Sequence, residues 1–189
     1  MKRATQRLAL DRLLTFNRIH PMATSTLDRA NEVRETAKNA FGFVPNLVDE
    51  MADNNPAVAQ VYLAANGAIE DGVLSPAEQQ TVILAISAYN DCHYCTKAHA
   101  AVGKQTGLPE ETINTILASG LPDDDRLAAL VRATRRTLGK RGWLSDDDLA
   151  ELESWGLGRD AVYEIVGLIG IKTISNFVNH IAGTEVDPQ

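Results

Sequence analysis

Apolar residues recur along the chain at helical spacing, and no alternation of the strand type persists. A polar helix runs from Leu27 to Ala40 and ends at Phe41-Gly42, where Gly42 suits a C-cap. Phe43-Val44-Pro45-Asn46 imposes an extended turn, and Asn46 is placed to cap a short helix over Leu47 to Met51. Asn55-Pro56 opens the next helix, over 56–70. Ser75-Pro76-Ala77-Glu78 matches a capping box, and the helix it opens continues to Tyr89. Its run Val82-Ile83-Leu84-Ala85-Ile86 is apolar all round, which predicts central burial. Asn90-Asp91 breaks that helix and caps another, beginning at Cys92 and ending at Gly107. A short helix follows from Pro109 to Ser119, then one over 124–139 with Leu127, Leu130, Val131, Thr134 and Leu138 on one face. Ser145 to Trp155 carries acids in its first turn, as the helix dipole prefers. The last helix, Arg159 to Ala182, is marked as a long buried element by Ile165, Leu168, Ile169, Lys172, Phe177 and Ile181. No repeat or linker interrupts the pattern. It predicts one all-α domain of about eight helices over 22–189.

Composition narrows the class. The 189 residues are 44% hydrophobic but only 5% aromatic, which favours packed helices over a β-sandwich. No stretch approaches the roughly 18 uninterrupted apolar residues of a spanning helix, so a polytopic membrane protein is excluded. The net charge of −7 is unevenly spread. Residues 1–21 hold five basic side chains (Lys2, Arg3, Arg7, Arg12, Arg18) against Asp11 alone, and the acids lie beyond them. So acidic a body repels phosphate backbones, which argues against nucleic acid as a partner. The basic piece reads either as a transit-like segment or, preferably, as an over-long start ahead of Met22-Ala-Thr-Ser. Asp11 and Arg12 break the apolar run of a signal peptide, leaving the cytoplasm as the expected address.

The reactive groups concentrate in Cys92-His93-Tyr94-Cys95-Thr96-Lys97-Ala98-His99. A C-x-x-C pair in a reducing compartment points to redox or metal chemistry rather than a structural staple. On a helix Cys92, Cys95 and His99 share one face, while His93 and Tyr94 point elsewhere. A helix N-terminus favours thiolate over thiol, and a histidine one turn away can accept the proton. By the dipole alone Cys92 is the better thiolate; spacing does not decide which sulfur attacks first. A thiolate attacking a peroxide gives a sulfenic acid, which the neighbouring thiol converts to a disulfide. An outside dithiol must then reduce it. Three plainer readings compete: a zinc site with His93 or His180 as fourth ligand, an inert buried thiol pair, and a core His99 satisfied by a backbone carbonyl. Elsewhere, Glu78 is explained by its capping box. Arg132, Arg135, Arg136, Lys140 and Arg141 read as a solvated face, and Trp143 and Trp155 as packing anchors. His180 is either a helix terminus or a second lining of the site.

The stretch from Leu74-Ser75-Pro76-Ala77-Glu78 through Cys92-His93-Tyr94-Cys95-Thr96-Lys97-Ala98-His99 resembles the core of the carboxymuconolactone decarboxylase-like superfamily. Within it, the similarity is to the alkylhydroperoxidase D-like, peroxidase-related branch with C-x-x-C-x-x-x-H. Phe41-Gly42-Phe43-Val44-Pro45-Asn46 upstream and Asn176 to Asp187 downstream agree, so the resemblance covers about 25–187. It implies an all-helical alkylhydroperoxidase-like fold, assembling as a homo-oligomer, a trimer or hexamer. It implies hydroperoxide reduction with Cys95 attacking, Cys92 resolving and His99 in the proton relay. A dithiol protein reductant is implied as well, with no metal or organic cofactor. Two positions depart from the pattern. The relay's usual Glu, twelve positions before the first cysteine, is Gln80, and the position that is sometimes His is Tyr94. Gln hydrogen-bonds and holds a water but accepts no proton, so slower or more specialised peroxidase chemistry is expected. A thiol–disulfide oxidoreductase, or a silent binding protein whose thiols titrate near the ordinary value of about 8.5, are the competing classes. The substrate pocket is expected mostly from Ile83 and Ile86, with help from a neighbouring subunit. On the sequence alone, Gln80→Glu should raise the rate constant for a hydroperoxide, and an unchanged constant would count against the reading.

Overall fold

The computed structural model describes residues 25–188, so the expectations for residues 1–21 and for Met22 lie outside it. Among the described residues the chain forms nine helices and no strand. They are α1 (Thr26–Phe41), α2 (Asn46–Asn54), α3 (Pro56–Ile69), α4 (Pro76–Tyr89), α5 (His93–Gln105), α6 (Glu110–Leu117), α7 (Asp125–Gly139), α8 (Asp146–Ser154) and α9 (Arg159–Ala182). The punctuation follows the sequence closely. Ser25, Ser75 and Ser145 each form a capping box with Asp28, Glu78 and Asp148, and Asp124 accepts from Leu127 N. Gly42 closes α1 at φ 81°. Two cap expectations differ. Asn46 is the first residue of α2 rather than its cap, because its side-chain amide donates instead to Glu185 O at 3.0 Å. Cys92, not Asn90 or Asp91, is the N-cap of α5.

The apolar run of α4 is buried as expected, and α4 packs against α5, α6, α7 and α9. The core divides into three clusters around it. One is built from α1, α2 and α3, where Val33, Ala37, Leu47, Val48, Met51, Ala59 and Tyr62 close over Cys92, Tyr94, Cys95 and Ile171. A second holds Ile83 and Ile86 against Leu130, Ala133, Leu152 and Ile165, and a third gathers Leu84, Leu108, Ile113 and Val131. This corrects the pocket expectation. Ile83 and Ile86 face α7, α8 and α9, and the apolar surroundings of the cysteines come from the first three helices.

Helix α9 is less uniformly buried than its composition suggested. Phe177 is 52% and Ile181 88% exposed, whereas Lys172 is only 2% exposed. Among the described residues α9 is the one helix long and apolar enough to cross a membrane, and half of its most apolar stretch is buried within the protein. Trp143 is no packing anchor, being 86% exposed. Trp155 lies under the guanidinium groups of Arg132 and Arg136, 5.7 and 5.2 Å from the ring centre. Nor is the basic cluster simply a solvated face. Arg135 donates to the carbonyls of Ile116, Ser119 and Gly120 at the end of α6, and Arg136 pairs with Glu151.

One buried carboxylate ties the entrance of α4 to α9. Glu164 accepts from Val73 N (2.5 Å), Leu74 N (3.0 Å) and Gln79 Nε2 (2.8 Å). A Cβ built on Gly72 would fall 2.3 Å from that carboxylate, so the close approach requires glycine. Glu164→Ala leaves these donors unsatisfied and should destabilise the protein by about 3 kcal/mol or more. A urea midpoint equal to that of the parent chain would refute this account of the junction.

Candidate active site

Positioning of the thiols begins where α4 ends. Asp91 takes a left-handed conformation (φ 55°), which Asp tolerates better than most residues. The reversal lets Cys92 N donate to Ser87 O at 3.0 Å, and Thr96 N then donates to Cys92 O at 2.9 Å. Cys92 thus sits half inside α5 and Cys95 in its first turn, with His99 one turn further along the same stripe. Facing them, α9 presents Lys172, Asn176 and Asn179, at i, i+4 and i+7. That spacing puts all three on one side of a helix.

The two stripes meet atom to atom. Asn176 Nδ2 donates to Cys95 Sγ at 2.9 Å and Asn179 Nδ2 at 3.3 Å; the latter lies 3.9 Å from Cys92 Sγ. Asn176 is oriented by Asn90, whose Nδ2 donates to its Oδ1 at 2.8 Å. Asn179 Oδ1 is buried without a partner. Lys172 Nζ donates to His99 Nε2 at 2.8 Å, and His99 Nδ1 lies 2.9 Å from Gln80 Oε1. An ammonium only donates and an amide carbonyl only accepts, so the ring is neutral with its proton on Nδ1. Both thiols are free and 1% exposed.

The two sulfurs differ in proton affinity. Cys95 is pulled down to about 5: the Cys92 thiol donates to it, and the Lys172 charge and both asparagine amides add to the effect against the cost of burial. Cys92 is pushed up, because its proton is held by Cys95 and because it too is buried. The asymmetry runs opposite to the dipole expectation, since these contacts outweigh the small gain of lying nearer the helix end. Burial, and then the charge of Lys172, hold His99 well below its usual range.

Of the residues singled out from the sequence, Cys92, Cys95, His99 and Gln80 come together. His99 is satisfied by side chains on both nitrogens rather than by a backbone carbonyl. His93 is exposed, and His180 is exposed and stacked on Phe177 at 6.3 Å, so neither joins the thiols as a ligand and His180 does not line the site. Among the described residues no group of three His, Cys, Asp or Glu is placed to hold a metal. Lys172, Asn176 and Asn179 were not read as functional. Their signal was available: three polar side chains on one face of a helix otherwise rich in Ile, Leu and Val. Tyr94, between the cysteines, donates from its hydroxyl to Asp187 Oδ2 at 2.5 Å, and Asn46 N donates to Asp187 Oδ1 at 2.8 Å. The two flanking motifs therefore meet beside the thiol pair.

Residues 56–136 match the carboxymuconolactone decarboxylase family. Among curated proteins none matches the chain. Among solved structures, a peroxidase-related protein from Ralstonia eutropha JMP134, described as an alkylhydroperoxidase AhpD core, superposes with a TM-score of 0.74 at 20% identity, covering 89% of this chain and 94% of that one. A peroxidase-related protein from Silicibacter sp. TM1040 gives 0.69 at 20% identity, covering 89% of each chain. The debrominase Bmp8, as a cysteine-to-alanine variant in complex with 2,3,4-tribromopyrrole, gives 0.66 at 16% identity, covering 90% of this chain and 92% of that one.

The thiolate has a consequence for stability. An unfolded cysteine keeps its proton up to about pH 8.5 and an unfolded histidine is charged below about 6.5. The fold depresses both groups, Cys95 to about 5. Folded protein therefore binds fewer protons than unfolded protein in this window, and stability rises with pH. The reduced protein's urea midpoint should climb from pH 5 to 8 and be lost again on acidification through the Cys95 titration. Cys95→Ser should flatten most of that slope; a midpoint already flat in the parent would contradict the assignment.

Proposed function

We propose that this chain, which belongs to the carboxymuconolactone decarboxylase-like superfamily and carries the alkylhydroperoxidase D-like fold, is a two-cysteine peroxidase that reduces hydroperoxides. The observation that carries the reading is the Cys95 sulfur, held as a thiolate by two asparagine amides and a neighbouring thiol. Cys95 attacks the distal oxygen of the hydroperoxide; an S–O bond forms, the O–O bond breaks and an alkoxide leaves as the alcohol once protonated. Cys92 then attacks the sulfenic sulfur, forming the disulfide and expelling water. Two electrons from a dithiol protein restore the pair. His99 and Gln80 belong to the proton-handling side of the site.

Two cysteines only, both in one C-x-x-C, suit a protein working in the reducing cytoplasm. Assembly as a homo-oligomer is part of the same proposal. Its support is the apolar stripe of α9 that the described residues leave exposed, formed by Tyr163, Val166, Phe177 and Ile181.

The test is a free-thiol count and mass after adding one equivalent of an organic hydroperoxide to the reduced protein. Loss of two thiols and two hydrogens is expected, abolished in Cys95→Ser and stopped at a sulfenic acid in Cys92→Ser. Survival of both thiols for minutes would refute the peroxidase reading. The debrominase on this fold makes 2,3,4-tribromopyrrole the informative second oxidant. Bromide release with hydroperoxide inert would overturn the proposal in favour of dehalogenation by the same two thiols.

A further inference from the structure

A buried ammonium with no anion beside it is among the costliest arrangements in a protein interior. Lys172 is 2% exposed, yet among the described residues no carboxylate lies within ion-pair distance of it. Its charge acts on Cys92, Cys95 and His99 of the facing stripe. Cys95 is the one of these that becomes an anion while the other two stay neutral. His99 has no nitrogen left for the sulfur, since Nδ1 is committed to Gln80 and Nε2 to Lys172. It cannot gain a second proton without breaking the contact to Lys172.

From these contacts we infer that Lys172 is the working cation of the site: it is the counter-ion of the Cys95 thiolate and the proton donor to the departing alkoxide, and His99 is a positioning residue that aims it. The donor half rests on the peroxidase reading; the counter-ion half does not.

The bookkeeping of protons closes. In the reduced site the ammonium, held on His99, offsets the charge of the thiolate on the same helix stripe, with Cys92 as thiol. Attack forms the S–O bond, the O–O bond breaks, and the Lys172 proton passes to RO⁻, giving ROH and a neutral amine. The amine next takes the Cys92 proton, the S–S bond forms, the S–O bond breaks, and the same proton leaves with hydroxide as water. The oxidised site is then a disulfide beside a neutral amine. Neither redox state leaves a lone charge buried. Gln80 acquires a reason: it holds the His99 Nδ1 proton without presenting a second anion to compete for Lys172.

The experiment replaces Lys172 in the full chain, as Lys172→Met and as Lys172→Arg, with thermal unfolding followed as a control. Burying a methionine in place of an ion is commonly tolerated, so a folded variant is expected. Ultraviolet thiolate absorbance should show the Cys95 midpoint moving up toward the ordinary thiol range in Lys172→Met and staying low in Lys172→Arg. An unmoved midpoint in Lys172→Met overturns the counter-ion. The donor is read from two oxidants. An alkyl hydroperoxide needs its leaving group protonated, whereas a peroxy acid releases a carboxylate that does not. Lys172→Met should slow the first by about 100-fold, a general-acid effect, beyond whatever loss it causes with the second. Equal losses overturn the donor role. Should the parent chain ignore both oxidants while the midpoint still moves, the peroxidase reading falls with the donor and the counter-ion stands. Gln80→Glu, expected from the sequence alone to raise the hydroperoxide rate, should here leave it unchanged or lower it, because a carboxylate would share the proton that Lys172 carries. A rise would return the relay to position 80 and overturn this assignment.

Discussion

Two polar stripes, Cys92–Cys95–His99 on α5 and Lys172–Asn176–Asn179 on α9, are pressed together inside an otherwise apolar interior. The contact pairs two amides with a sulfur, an ammonium with an imidazole, and the imidazole with Gln80, and leaves Asn179 Oδ1 without a partner. Buried polar groups are costly unless paired in this way. The arrangement holds α5, α9 and the middle of α4 in one register. A slip of either stripe would strand a charge and several amides at once.

The remaining architecture makes sense as support for that contact. The apolar run of α4 is surrounded by α5, α6, α7 and α9, and its Gln80 reaches the site through His99. Glu164 anchors the start of α4 to α9, so the two elements that carry Gln80 and Lys172 are joined at a second point. Helices α1 to α3 lay an apolar lid over the cysteines. Burial behind that lid is what makes the asparagine amides and the lysine charge effective, because low dielectric strengthens each of them.

Sharing this fold with peroxidase-related proteins and with a debrominase separates scaffold from chemistry. The family match over 56–136 contains Gln80 and the C-x-x-C-x-x-x-H segment, yet it stops before α9. Lys172, Asn176 and Asn179, which add to the lowering of Cys95 begun by Cys92, lie outside it. The thiol pair lies inside the matched segment, and the side chains that surround its sulfurs from the opposite helix lie beyond it.

Local physics was enough for much of this. The capping box at Ser75, the first-turn acids after Ser145, the C-cap at Gly42, the proline-marked starts and the all-apolar run of α4 each depend on neighbours within a turn, so the helices were legible from the chain. So was the stripe of Cys92, Cys95 and His99, with Gln80 joined to it through the family resemblance. The helix dipole by itself favoured Cys92 as the thiolate, whereas Cys95 is lowered first by its contact with Cys92 and then by Lys172, Asn179 and Asn176, about 80 residues away in sequence. Lys172 looked like one more core position on a buried helix, and Phe177 and Ile181 looked buried when they are not. Periodicity reports which face of a helix is apolar. What that face meets, and therefore whether a lysine on it is a counter-ion or a thiol on it an anion, is decided only when distant helices pack.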